Sequence, residues 1–180
     1  NESPIVFFIQ NNQWAISSHI DSQTKAPLYT RGEGFGVPGM RIDGNDVLAC
    51  YAATRLHMDN ARSGDGPFLL EALTYRIGAH TTSDDPSKYR EEAEVDEWKA
   101  KDPIKRFEIF LRRQGIGDDF FEEVKVAGDD LAKKIRAETF ALEDPPLGNI
   151  FNHVYTEQHP EIDKQRAWLE AYEARMGDHE

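Results

Sequence analysis

Two short stretches of this 180-residue chain carry side chains suited to chemistry. The first is Asn11-Asn12, one residue beyond the apolar run Pro4-Ile5-Val6-Phe7-Phe8-Ile9. That run reads as a fully buried strand of a parallel sheet. In open α/β sheets ligands gather outside the carboxyl ends of strands, so polar side chains here are placed to meet one. An Asn amide oxygen and neighbouring backbone carbonyls are hard oxygen ligands of the kind Mg2+ takes. The same dipeptide also makes an ordinary turn.

The second stretch is the polar loop Arg76 to Arg90, which again follows a strand-like segment. His80 comes after Gly78 and Ala79, small residues that let a backbone or ligand approach closely. An imidazole near a phosphate donates a hydrogen bond and handles protons near neutral pH. Arg76, Asp84, Asp85, Tyr89 and Arg90 are placed to brace the loop through charge-assisted bonds. A solvated surface loop with an incidental histidine has the same composition. Of the other histidines, His19 lies in the irregular stretch after Asn12, where a substrate-side role is open. His57, His153, His159 and His179 have no evident partners.

The elements around these stretches alternate. Gln10 to Gln13 breaks the first strand, and residues 17–38, rich in Ser, Thr, Gly and Pro, read as a long irregular loop. Met40-Arg41-Ile42-Asp43 reads as a short strand. Asn45 or Asp46 caps a helix over 47–62, where Val47, Cys50, Tyr51, Thr54 and Met58 keep helical spacing. Phe68 to Tyr75 reads as the next strand. Strand, helix, strand is a βαβ unit, which implies a parallel sheet with a right-handed crossover. Beyond the polar loop the chain turns helical. Asp102-Pro103 starts one helix, another runs from Asp119 to about Glu143, Asn149 to Tyr155 reads as extended, and Glu161 to Met176 is the last helix.

Hydrophobic residues at 39% and charged residues at 30% fit one globular domain with a core. No stretch approaches the run of about 18 apolar residues needed to span a membrane, and the start does not resemble a signal peptide. Twenty-one basic against thirty-three acidic residues give a formal net charge of -12. That charge repels phosphate backbones and argues against nucleic-acid binding. The single cysteine, Cys50, excludes an intrachain disulfide. The default expectation is a reducing, cytoplasmic setting, with the mitochondrial matrix left open. With no initiator Met and a core strand at its start, the chain is expected to be the later part of something longer.

Together these residues resemble the alpha subunit of the decarboxylating component of 2-oxo acid dehydrogenase complexes. The resemblance is carried by Val6 through Ser17, Gly39 through Asp46, Gly66 through Glu71, Tyr75 through Arg90 and Lys101-Asp102-Pro103. It implies an α/β fold: the later half of a thiamine-diphosphate-binding domain with a parallel sheet over residues 1–90. A helical region over 91–180 is then expected to pack on that domain and on partner subunits. By the same resemblance Asn12 binds Mg2+, Trp14 gives its backbone carbonyl to the metal, and Ile16 lies beside thiamine diphosphate. His80 matches the loop histidine near the diphosphate that takes part in catalysis. Thr81 occupies the position of a regulatory phosphoserine in animal branched-chain enzymes, with Ser83 nearby.

The family usually has Tyr where Trp14 stands, which a backbone ligand tolerates. Gln10 stands where related subunits often carry a charge. The metal-binding Asp motif expected upstream of Asn11 is not in this chain, which therefore carries only part of a metal site. Gly64-Asp65-Gly66 resembles the start of that motif but precedes a strand, and reads as a helix-to-strand turn. The implied activity is oxidative decarboxylation of a 2-oxo acid with acyl transfer to the lipoyl group of a partner acyltransferase. The implied assembly is two alpha and two beta chains. The substrate reading leans to branched-chain 2-oxo acids, with pyruvate or acetoin as alternatives. A reading of another class is a non-catalytic assembly fragment whose helices past Glu91 dock to a partner.

Overall fold

The computed structural model describes residues 2–177, which form two compact units, one up to Gly117 and one from Asp118 onward. The first unit is built on three parallel strands in the order β1-β5-β4: β1 (Val6–Asn11), β5 (Phe68–Leu73) and β4 (Gly39–Asp43). Asn11 of β1 and Asp43 of β4 both lie in register with Leu73 of β5, so all three strands end together at their carboxyl edge. Leu70, Glu71 and Ala72 of the central strand are buried.

The expectation of a fully buried first strand is corrected here. Among the described residues β1 has a single sheet neighbour, and Phe7 and Phe8 are each about half exposed. An edge strand gains cover from one side only. The 17–38 stretch is also more ordered than its composition suggests. It holds β3 (Ser18–His19), paired with β2 (Trp14–Ala15) as a small hairpin, then helix α1 (Ile20–Gln23) and a 3-10 segment Leu28–Phe35.

Helix α2 (Val47–Arg62) joins β4 to β5 and touches all three strands, completing the βαβ unit. Asp46 is its N-cap, accepting from the Leu48 and Ala49 amides, each at 3.0 Å; such a cap contributes about 1 kcal/mol. His57 stacks on Phe68 with centroids 3.3 Å apart, so it serves to join helix to strand. Gly64 and Gly66 both take positive φ in the turn from α2 to β5, as the helix-to-strand reading requires.

Helices α3 (Glu92–Lys99) and α4 (Pro103–Arg113) belong to this first unit. Trp98 of α3 stacks on Tyr75, with centroids 5.4 Å apart and planes 8° from parallel. Asp102 caps α4 through the Lys105 amide, with Pro103 in the first turn. Arg106 of α4 donates to Asp43 at 2.8 Å and to the Asn45 carbonyl at 3.0 Å. Burial opposes ionisation of Asp43, but the bonds from Arg106 and the Asn45 amide hold its carboxyl below the usual range. The buried Asn45 side chain accepts from Thr74 at 2.5 Å and donates to the Lys101 carbonyl at 3.0 Å. The Gly44-Asn45-Asp46 turn thereby ties α4 to the carboxyl edge of the sheet.

The second unit holds α5 (Asp118–Phe140), a 3-10 segment Leu147–Phe151 and α6 (Pro160–Met176). The extended reading of 149–155 is corrected. The Asn149 amide turns back to the Pro146 carbonyl at 2.8 Å, and Arg166 donates to Gly148 and Asn152, so the segment closes into a tight turn. No helix among the described residues is long and apolar enough to cross a membrane.

Candidate functional site

The two chemistry-bearing stretches leave adjacent strands at the same edge of the sheet. The Thr74 amide donates to the Asn11 carbonyl at 2.9 Å and the Arg76 amide to the Asn12 carbonyl at 3.2 Å, so strand pairing continues past β1 and β5 into both loops. The Gln13 side chain adds a third link, donating to the Thr74 carbonyl at 2.8 Å.

Asn12 sits in the turn after β1, its Oδ1 accepting from the Trp14 amide at 3.0 Å. The dipeptide therefore does make a turn. A carboxamide oxygen carries two lone pairs, so one such bond orients it and leaves acceptor capacity. Gln13 and Ile16 both take left-handed backbone, at φ 67° and 55°. For a β-branched residue such as Ile16 that is a true outlier, which persists only when the surroundings enforce it. Ile16 opens the two-residue hairpin loop between β2 and β3, a position that calls for positive φ, and Arg76 Nη2 donates to its carbonyl at 2.6 Å. The Ile16 side chain is left more than half exposed beside the turn.

Trp14 is wedged between two rings: His19 meets it edge-on at 5.0 Å, and Tyr89 lies tilted at 5.4 Å. His19 is occupied locally, its Nδ1 capping α1 by accepting from the Asp21 amide at 3.4 Å. The buried Arg76 Nε lacks a hydrogen-bond partner among the described residues.

The His80 loop is held from within. Asp84 Oδ2 accepts from the His80 amide at 2.8 Å and from the Tyr89 hydroxyl at 2.5 Å. The Tyr89 bond first, then the His80 amide, lower the Asp84 carboxyl below its ordinary value, and the same bond raises the Tyr89 hydroxyl. Arg76 Nη2 also donates to Tyr89 at 3.1 Å. Arg90 donates to the carbonyls of Arg76, Ile77 and Gly78, so one guanidinium gathers three successive carbonyls. Asp85 caps the short 3-10 turn Pro86–Lys88. The Thr81 and Ser83 hydroxyls lie 3.3 Å apart, both on exposed residues.

Asn12 lies in the turn after β1, Trp14 in β2 and Ile16 in the hairpin loop from β2 to β3, and Arg76 connects that loop to the His80 loop. In donor chemistry the turn fits a divalent cation in part. Asn12 Oδ1 and the Trp14 carbonyl are hard oxygens two residues apart in sequence, while no group of three or more His, Cys, Asp or Glu is gathered for a metal among the described residues.

Glu71 was not singled out from the sequence. It is fully buried in β5, accepting from Asn11 Nδ2 at 2.7 Å, Arg41 Nη2 at 2.9 Å and the Tyr29 amide at 3.0 Å. Burial alone raises its carboxyl, but the bonds from Arg41, Asn11 and Tyr29 outweigh that and hold it below the ordinary value. The signal was present: a carboxylate amid Phe68-Leu69-Leu70-Glu71-Ala72-Leu73 has to find partners when buried.

The family model described as Dehydrogenase E1 component matches residues 1–147. The 3-methyl-2-oxobutanoate dehydrogenase subunit alpha of Mycobacterium tuberculosis (strain ATCC 25618 / H37Rv) is 45% identical over 175 residues, covering 96% of this chain and 48% of the relative. The pyruvate dehydrogenase E1 component subunit alpha of Acholeplasma laidlawii is 43% identical over 171 residues, covering 91% and 49%. The mitochondrial 2-oxoisovalerate dehydrogenase subunit alpha of Homo sapiens is 38% identical over 183 residues, covering 99% and 41%. The chain spans about half the length, or less, of these relatives.

Proposed function

The chain belongs to the dehydrogenase E1 component family, and from that premise we propose that it forms the later part of an alpha subunit that oxidatively decarboxylates a 2-oxo acid. The acyl group passes to the lipoyl group of a partner acyltransferase. Residues 1–90 then serve as the later part of a thiamine-diphosphate-binding domain. The assembly has two alpha and two beta chains, in the cytoplasm or, as in the human relative's printed name, a mitochondrion. The observation that carries this reading is the Arg76 bridge, which holds the strained Ile16 turn against the His80 loop at the carboxyl edge of a parallel sheet.

When bound, thiamine diphosphate supplies the electron sink for loss of carbon dioxide. Asn12 Oδ1 and the Trp14 carbonyl would offer two oxygens to its Mg2+. The exposed Ile16 side chain would give the cofactor an apolar wall. The imidazole of His80 would donate a hydrogen bond to the diphosphate, while Asp84 and Arg90 keep its loop in place. Thr81 and Ser83, exposed in that loop, are candidate phosphorylation sites.

Branched-chain 2-oxo acids are favoured as substrate by the two relatives named for 3-methyl-2-oxobutanoate and 2-oxoisovalerate dehydrogenases. The relative named for pyruvate dehydrogenase supports pyruvate as the second reading. The full-length chain assembled with its beta partner should bind thiamine diphosphate with Mg2+ in a calorimetric titration. It should also turn over 2-oxoisovalerate faster than pyruvate. Binding of neither cofactor would return the chain to an assembly role, and faster turnover of pyruvate would reverse the substrate choice.

A further inference from the structure

Glu71 presents a problem that packing alone does not solve. Its carboxylate is fully buried at the middle of the central strand, where an apolar side chain of similar size commonly gives equal or greater stability. The Glu71–Arg41 pair is lopsided as well, since the Arg41 side chain is 37% exposed and that of Glu71 not at all. What the carboxylate does achieve is a junction. It joins β1 through Asn11, β4 through Arg41 and the 3-10 segment Leu28–Phe35 through the Tyr29 amide.

One arm of that junction leads to the turn after β1. Asn11 is pinned at both ends of its carboxamide: Nδ2 donates to Glu71 at 2.7 Å, and Oδ1 accepts from the Gln13 amide at 3.0 Å. The Gln13 amide belongs to the turn in which Asn12 Oδ1 is itself oriented by the Trp14 amide at 3.0 Å. An ionised carboxylate accepts and does not donate, so it dictates which end of the Asn11 amide faces it. That choice leaves Oδ1 to capture Gln13 and bend the backbone to its left-handed φ of 67°. We propose that Glu71 is a positioning residue, whose carboxylate sets the Asn11 amide and through it the turn that aims Asn12 at the divalent cation. The proposal rests on the site assignment above and adds to it a residue that touches neither cofactor nor substrate.

The test uses the full-length chain assembled with its beta partner, saturated with thiamine diphosphate and titrated with Mg2+ by calorimetry. Glu71→Gln keeps the shape and removes the charge, and should weaken Mg2+ binding about tenfold, as loss of a ligand-orienting partner does. Asn11→Ala should weaken it similarly, and the double variant no further than the weaker single one, because both act along one path. If Glu71→Gln lowers the melting temperature while the folded complex binds Mg2+ as the parent does, the role is structural and the proposal is overturned. Additive losses in the double variant overturn it too. Should Glu71→Gln not assemble, Arg41→Gln removes one arm of the junction from a partly exposed position. A smaller loss of Mg2+ affinity supports the proposal, and an unchanged affinity refutes it. A parent complex that itself binds no Mg2+ with thiamine diphosphate defeats the site assignment, and this proposal with it.

Discussion

The guanidinium of Arg76 reaches the carbonyl oxygen of Ile16 at 2.6 Å, across 60 residues of sequence. The same nitrogen donates to the Tyr89 hydroxyl at 3.1 Å, so one side chain couples a strained turn to the far end of the His80 loop. Arg76→Met should break both bonds while keeping the backbone link to Asn12. Bonds from a charged donor contribute about 1.5–3 kcal/mol, and solvent around this one reduces that to about 1–2 kcal/mol of stability. Urea denaturation measures that loss. Calorimetry should show cofactor affinity falling more steeply than stability, since the turn and loop separate.

Ile16 itself stores strain. A β-branched residue in left-handed backbone costs about 1–2 kcal/mol, of which Ile16→Gly should recover part after the entropic cost of glycine, about 0.5–1 kcal/mol. The variant should be slightly more stable than the parent in urea and bind thiamine diphosphate less tightly. A destabilised variant with unchanged affinity would show that the turn serves folding alone.

Much of this architecture could be read along the chain because local signals and tertiary context agree. The helix at Val47–Arg62 is announced by its cap and spacing, and Asp102-Pro103 marks the start of α4 for the same reason. The stretch 17–38 hid its elements, because two-residue strands and a 3-10 segment have no periodicity to detect. The exposure of Phe7 and Phe8 was illegible because an apolar run specifies a strand and not how many neighbours it has. In the site, the residue types of the His80 loop suggested bracing, but the partners did not follow. Arg90 gathers the carbonyls of residues 76–78, whereas Asp84 serves the His80 amide and Tyr89. Long-range choices such as Glu71 to Tyr29 depend on which strands become neighbours.

Two substitutions should separate metal binding from proton handling. Asn12→Ala should weaken Mg2+-dependent cofactor binding in the assembled full-length protein, with a modest effect on melting. His80→Ala, on an exposed loop residue, should leave melting within about 0.5 kcal/mol of the parent while lowering turnover at saturating cofactor. Unaltered metal dependence in the first, or unaltered turnover in the second, would remove that residue from its role.

The order of the His80 loop should depend on pH in a defined direction. Asp84 is held below its ordinary value by Tyr89 and the His80 amide. Its bracing is therefore complete above the usual carboxylate range and is lost as pH falls through the depressed value. Tyr89 is raised, so its bond persists until pH climbs above the ordinary tyrosine range through that higher value. Amide hydrogen exchange at His80, corrected for intrinsic rates, should be slow between these limits and speed up at acid pH. Asp84→Asn should abolish the acid limb, and exchange that remains pH-independent in the parent would refute the bracing role.

Gly44 offers a test of how the carboxyl edge of the sheet is held together. A Cβ at this position would lie 2.8 Å from the Leu73 carbonyl oxygen and 3.0 Å from the Ala72 and Leu73 carbonyl carbons, all backbone atoms of the central strand. Backbone in a paired strand cannot move aside as a side chain does, and the Gly44 amide already donates to that same Leu73 oxygen at 2.8 Å. Gly44→Ala should therefore destabilise the first unit by about 1–3 kcal/mol, the usual range for overpacking. It should also loosen the Asn45 contacts to Thr74 and Lys101 that follow from the close approach. Gly34→Ala is the control, because no atom lies within 4 Å of its Cβ position and its φ is not left-handed. Thermal melting of the two variants side by side should show a clear drop for the first and a shift within about 0.5 kcal/mol for the second. Equal melting would mean that β4 and β5 yield at their ends, and that the turn carrying Asn45 is held by Arg106 instead.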